Sequence, residues 1–241
     1  MRGEVMWLPR RQNLWFSILI VLAVAFISQP LRAQDTPVDR TVLPIAKPTY
    51  PPITEIDARK ATPRQRFEVK APSGAPNVLV ILVDNLGYGA TKPFGGVIEM
   101  PTLERLARSG LIYNNFRTAP LCSPSRMAIL TGRNPHSANM GSVAEIATAF
   151  PGQTAERSLG VAPLAEILKL NGYSTAMFGK SHEFTPWEVG ASGPFESWPT
   201  GSGFERFYGT MSAEADLFAP VLTDNTTLSL SHGVALAGDG R

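Results

Sequence analysis

One cysteine in 241 residues leaves no partner for an intramolecular disulfide and excludes a metal site built from paired cysteines. The sequence also lacks a glycine loop of the Walker or dinucleotide-binding type, and no segment repeats itself. Basic residues number 22 against 20 acidic ones, without a basic stripe, so the electrostatic footprint of a nucleic-acid binder is missing and no nucleic-acid partner is expected. No apolar run reaches the length of about 20 residues that a bilayer span needs. The longest, Leu14 to Ile27, follows Arg2, Arg10 and Arg11 and has the size of a secretory h-region.

Residues 1–33 therefore read as a signal peptide cleaved after Ala33, with an uncleaved N-terminal membrane anchor as the alternative. Either way the rest of the chain is expected outside the cytoplasm, periplasmic or secreted. The composition, 44% hydrophobic and 17% charged, is that of a globular domain.

Proline is what the next segment has in excess. Between residues 34 and 76 it stands at 37, 44, 48, 51, 52, 63, 72 and 76, which blocks continuous helix and central strand and predicts an extended arm. Val78 to Val83 is then an unbroken apolar, β-rich run without alternation, the pattern of a strand covered on both faces in a parallel sheet. It ends in Asp84-Asn85, two oxygen-bearing side chains at the carboxyl end of a strand, where open α/β sheets collect ligands. The same pair would also serve simply to shape a turn.

Pro101 starts a helix with Leu103, Leu106 and Ala107 on one face, stopped at Ser109-Gly110, and Leu111 to Phe116 reads as a second strand. A right-handed crossover would bring the second strand beside the first and Cys122 towards Asp84. The lone Cys122 is an inert buried thiol, an intermolecular bridge or a reactive group. Its setting favours the third: Pro124 and the apolar residues after it place Cys122 at a helix N-terminus, where the dipole favours negative charge, with Arg126 one turn on. The three residues between Cys122 and Arg126 are too few for the phosphate loop of cysteine phosphatases.

Further on, Pro163 predicts a helix with Leu164, Ile167 and Leu168 inward and Asn171-Gly172 as its cap, and Tyr173 to Phe178 predicts a strand. Beyond it Lys180 and His182 point the same way if the chain stays extended, because strand side chains alternate. An isolated histidine is more often structural than functional, and His136 has no comparable partner in sequence. His232, in the terminal Ser/Gly/Ala stretch, is expected in solvent. Trp187, Phe195, Trp198, Phe204, Phe207 and Tyr208 form an aromatic, turn-rich stretch expected to pack on the core, and Asn225-Thr226-Thr227 fits a glycosylation sequon.

Cys122-Ser123-Pro124-Ser125-Arg126 with Thr131-Gly132-Arg133, the strand and loop over Asn77–Gly89, and Gly179-Lys180-Ser181-His182 together resemble the formylglycine-dependent sulfatases of the alkaline phosphatase superfamily. The resemblance runs from about Val42 to Thr227. It implies an α/β fold, an alkaline-phosphatase-like sandwich with a central, mostly parallel sheet flanked by helices. Residues 77–241 would be the N-terminal part of the catalytic domain, incomplete at the C-terminus, since the family's second set of metal and sulfate ligands lies further on. It implies a sulfuric ester hydrolase of arylsulfatase type acting on a small sulfate ester. Related members hydrolyse phosphonate monoesters or phosphodiesters, and an inactive truncated sulfatase fragment is the non-catalytic alternative.

The implied roles follow residue by residue. Cys122 would be oxidised to formylglycine by a formylglycine-generating enzyme, its hydrated aldehyde attacking sulfur and later expelling sulfate. Asp84, Asn85 and the oxygen at position 122 would hold calcium or another divalent cation. Arg126 would steady that group, Lys180 and His136 would bind substrate, and His182 would orient or deprotonate the nucleophile. Where the family usually carries a second aspartate this chain has Asn85, which implies weaker calcium binding.

Overall fold

The computed structural model of the chain describes residues 39–64, 66–216 and 218–230. The chain divides into two units, Met1–Thr41 and Val42–Arg241, and the fold and site below belong to the second. The leader over 1–33 and His232 lie outside the described residues. Among the described residues no helix is long and apolar enough to cross a membrane.

The described residues from 42 to 76 form neither helix nor strand, as their prolines dictate. Ile45 is buried, and the backbone N–H of Ala71 donates to the carbonyl of Gly172 at 3.1 Å, so this arm rests on the domain. Three α-helices follow: α1 (Pro101–Ser109), α2 (Cys122–Thr131) and α3 (Leu164–Leu170). The strands are β1 (Ala176–Lys180), β2 (Arg206–Thr210), β3 (Val221–Asp224) and β4 (Thr227–Leu230), paired in that order in one sheet. β1 and β2 run parallel, with Gly179 opposite Gly209 and Lys180 opposite Thr210, whereas β2–β3 and β3–β4 are antiparallel. The α/β class is as expected, and the parallel start of the sheet is the part that carries the site.

Two expected strands do not form. Residues 78–83 join no sheet, and they range from 39% exposed at Leu82 to 83% at Leu79. Leu111 to Phe116 is likewise irregular and exposed. An apolar run becomes a central strand only when neighbours satisfy its backbone on both sides, and among the described residues no strand pairs with either segment. The βαβ crossover read from the sequence is therefore absent here, although α1 occupies its place.

Helix α3 also departs from its pattern. Leu164 and Ile167 are exposed, and Ala165 is the buried residue. The turn at Gly203 lies against the backbone of Ala165 and Glu166, so the smallest side chain marks the contact. β1 starts at Ala176, later than predicted, because Tyr173 N–H is held by Leu168 C=O (3.1 Å) and Thr175 Oγ1 donates to Gly203 C=O (2.7 Å). The strand consequently extends through Lys180.

Two buried clusters hold the unit. Met127 of α2 packs with Ala138, Met140, Ala144, Ala155 and Val161. Phe184, Trp198, Phe207 and Met211 form the other, with the Phe195 ring edge-on to Trp198 at 4.9 Å. The indole N–H of Trp198 donates to Glu188 C=O at 2.8 Å, so the aromatic stretch packs as expected apart from the exposed Trp187 and Tyr208. Asn225 sits in the two-residue turn between β3 and β4 with its Oδ1 accepting from Phe207 N–H at 3.0 Å.

Candidate active site

Helix α2 begins at Cys122 as the sequence demands. Pro124 is in the first turn, where a missing N–H costs nothing. Ser125 closes that turn, its N–H donating to Leu121 C=O (3.1 Å) and its Oγ to Ala119 C=O (2.8 Å). At the far end Thr131 Oγ1 donates back to Met127 C=O (2.7 Å), and Gly132 adopts φ 65°, a left-handed cap that glycine enters without a Cβ clash. The Thr-Gly-Arg element thus ends the helix that the Cys-Ser-Pro-Ser-Arg element starts.

Side chains from three segments converge at the start of α2. Cys122 Sγ lies 3.2 Å from His182 Nδ1, and the Cys122 residue is partly exposed. Arg126, only 7% exposed, donates through Nη1 to the carbonyl of Lys180 at 2.8 Å and places Nη2 3.5 Å from Asp84 Oδ1. Lys180 Nζ donates to Asp84 Oδ2 at 2.6 Å. One carboxylate is thereby shared by two cations. The Lys180 hydrogen bond, more than the Arg126 charge, holds the Asp84 carboxyl below its ordinary 3.8 against a smaller opposing effect of burial.

His182 follows β1, where Ser181 N–H still pairs with Thr210 C=O at 2.9 Å. Its ring is 2% exposed, and burial lowers its pKa below the ordinary 6.5 although the Glu145 carboxylate, 2.7 Å from Nε2, pulls the other way. Glu183 accepts from Ser181 Oγ and from His182 N–H, both at 2.8 Å, and its own burial raises its pKa above 4.5. The pair of hydrogen bonds fixes the backbone that presents the imidazole.

Of the residues singled out in the sequence, Asp84, Cys122, Arg126, Lys180 and His182 are thus brought together. Asn85 stands beside Asp84 in a turn at φ 56° with an exposed side chain. His136 is exposed in the short turn Pro135–Ala138, its ring facing Gly141, and no described hydrogen bond or ion pair joins it to the cluster. Glu145, Glu183 and Ser123 were not legible as site residues. Glu183 directly follows the His182 motif, which is a signal of sorts, whereas Glu145 comes from a Gly- and Ala-rich stretch without periodicity.

Calcium takes about six to eight oxygen ligands. The residues present offer one carboxylate, already paired with Lys180 and Arg126, and one amide oxygen. Among the described residues no group of three His, Cys, Asp or Glu side chains is arranged to hold a metal ion. These residues alone do not make a calcium site. A groove of about 650 Å³ is lined by Asp84, Arg126 and Lys180 together with the apolar 78–82 segment, but not by Cys122 or His182, so it is not itself the reaction pocket.

The profile of the Sulfatase family matches residues 76–227, most of the second unit. The chain belongs to the sulfatase family. An uncharacterized sulfatase of Schizosaccharomyces pombe is 36% identical over 160 residues, 64% of this chain and 27% of that protein. The arylsulfatase of Klebsiella aerogenes is 37% identical over 109 residues, 44% of this chain and 24% of its own length. Human arylsulfatase A is 38% identical over 141 residues, 56% of this chain and 25% of its own. This sulfatase chain spans about a quarter of the length of these relatives. The solved structure of Ps i-CgsB superposes with a TM-score of 0.45 at 28% identity, covering 56% of this chain and 28% of that one.

Proposed function

We propose that this sulfatase chain contributes the nucleophile half of a sulfuric ester hydrolase site, with Cys122 as the precursor of formylglycine. The observation that supports it is the contact between Cys122 Sγ and His182 Nδ1 at the N-terminus of α2, beside Arg126 and Lys180. Formylglycine at position 122 would supply a hydrated aldehyde whose hydroxyl is the attacking group. A partly exposed side chain at a helix start suits that change, because both the maturation enzyme and a small sulfate ester must reach it. No step is assigned to a divalent cation, since the donors described here do not hold one.

The chain's own residues then act as follows. His182 Nδ1 faces position 122 and takes the proton released as its oxygen bonds to sulfur. Lys180 uses one of its three N–H donors on Asp84 and keeps two for sulfate or the departing ester oxygen. Arg126 fixes the Lys180 backbone and the Asp84 carboxylate, and α2 directs its dipole at the sulfate. Residues 1–33 make export the proposed setting.

The test is comparative turnover of an aryl sulfate and an aryl phosphonate by the sulfatase coexpressed with its maturation enzyme. The sulfate should be the better substrate, and Cys122→Ala should abolish turnover. Preference for the phosphonate would transfer the chain to the phosphonate-ester branch, and activity surviving in C122A would remove residue 122 from the reaction.

A further inference from the structure

Glu145 is carried by a short turn, Ala144–Ile146, that is fixed at both chain and side-chain level. Ala144 is 1% exposed and packs on Met127 of α2. Its N–H donates to the Oγ of Ser123 at 3.3 Å, and Ser123 is itself fully buried next to Cys122. The helix that presents residue 122 therefore also holds the turn that presents Glu145. From there the carboxylate reaches His182 Nε2 with both oxygens, at 2.7 and 2.9 Å, while Nδ1 of the same ring meets Cys122.

A neutral imidazole carries one N–H, and a carboxylate only accepts. We propose that Glu145 is a positioning residue that holds the N–H of His182 on Nε2, so that the bare nitrogen Nδ1 always faces the side chain at position 122. With the opposite tautomer a lone pair would confront the carboxylate, and Nδ1 would arrive already protonated and unable to accept from residue 122. The catalytic consequence rests on the function proposed above, but the tautomer does not.

For this reason the test uses the unmodified full chain without substrate. Histidine would be labelled with nitrogen-15, and the ring nitrogens read by NMR at about pH 7.5, above the ordinary histidine value. With three histidines in the sequence, His182→Gln assigns the signal. The parent should show Nε2 protonated and Nδ1 unprotonated, with a preference of roughly ten- to a hundredfold as expected for a hydrogen bond to a charged group. Glu145→Ala should lose most of that preference, and Glu145→Asp should restore part of it. The His136 signal, from the neighbouring turn, must stay in place to show that the loop is still folded. Nδ1 protonated in the parent would overturn the proposal, as would an E145A chain with the parent's tautomer ratio and an unchanged His136 signal.

Discussion

At the residue scale the informative side chains are those whose charge state the fold constrains. Asp84 stays ionised because Lys180 and Arg126 both address it, and Glu183 is pushed towards its neutral form by burial. The sign of the second effect is definite. A carboxyl whose pKa is raised on folding contributes fully below its ordinary 4.5 and loses that contribution as pH rises through the raised value. Glu183→Gln keeps an oxygen that accepts from Ser181 Oγ and His182 N–H and removes the charge. Its thermal midpoint, relative to the parent, should therefore climb as pH rises above 4.5. A difference that does not change with pH would contradict the assignment.

Much of this was legible. Cys122, Arg126, Lys180 and His182 stand out because they sit at a helix start and a strand end, positions that local rules can locate, and Asp84 because it directly follows an apolar run. Glu145 was not legible, because its role depends on a long-range anchor, Ser123 to Ala144, that leaves no periodic trace in the sequence. Asn85 and His136 illustrate the converse: both were expected at the site, and in the described structure both are exposed, with no described hydrogen bond joining His136 to the cluster.

At the scale of elements, the helices followed their punctuation. Pro101 and Gly110 bound α1, Pro163 precedes α3, and Gly132 caps α2. Two of the three expected strands did not follow theirs, because a strand exists only through its partner. Hydrophobicity predicted pairing for 78–83, yet pairing is set by neighbours that local sequence cannot supply. The pair that does form, β1 with β2, depends on a close approach at Gly209, where a Cβ would strike the carbonyl of Gly179. Gly209→Ala must push β2 away from β1, the strand that delivers Lys180 and His182. Urea unfolding should show a loss of roughly 1–3 kcal/mol, as for other overpacked sites. A change under about 0.5 kcal/mol, typical of a neutral surface substitution, would show that the strands separate freely there.

At the scale of the molecule, two features belong together. The chain matches about a quarter of its relatives' length, and its most apolar described run, 78–83, is exposed. The portion of the site that is built is the portion close to Cys122: a thiol, an imidazole with its carboxylate partner, and two cations that share the Asp84 carboxylate. Calcium donors are under-supplied in the same place, so what this chain assembles is the residue-122 centre rather than a complete metal centre. That centre is also what a maturation enzyme would meet. The most direct measurement is mass spectrometry of the tryptic peptide Thr118–Arg126 after coexpression with a formylglycine-generating enzyme. An aldehyde at position 122 that reacts with an aminooxy probe is the expected result. A peptide that keeps an alkylatable Cys122 thiol under those conditions would contradict it.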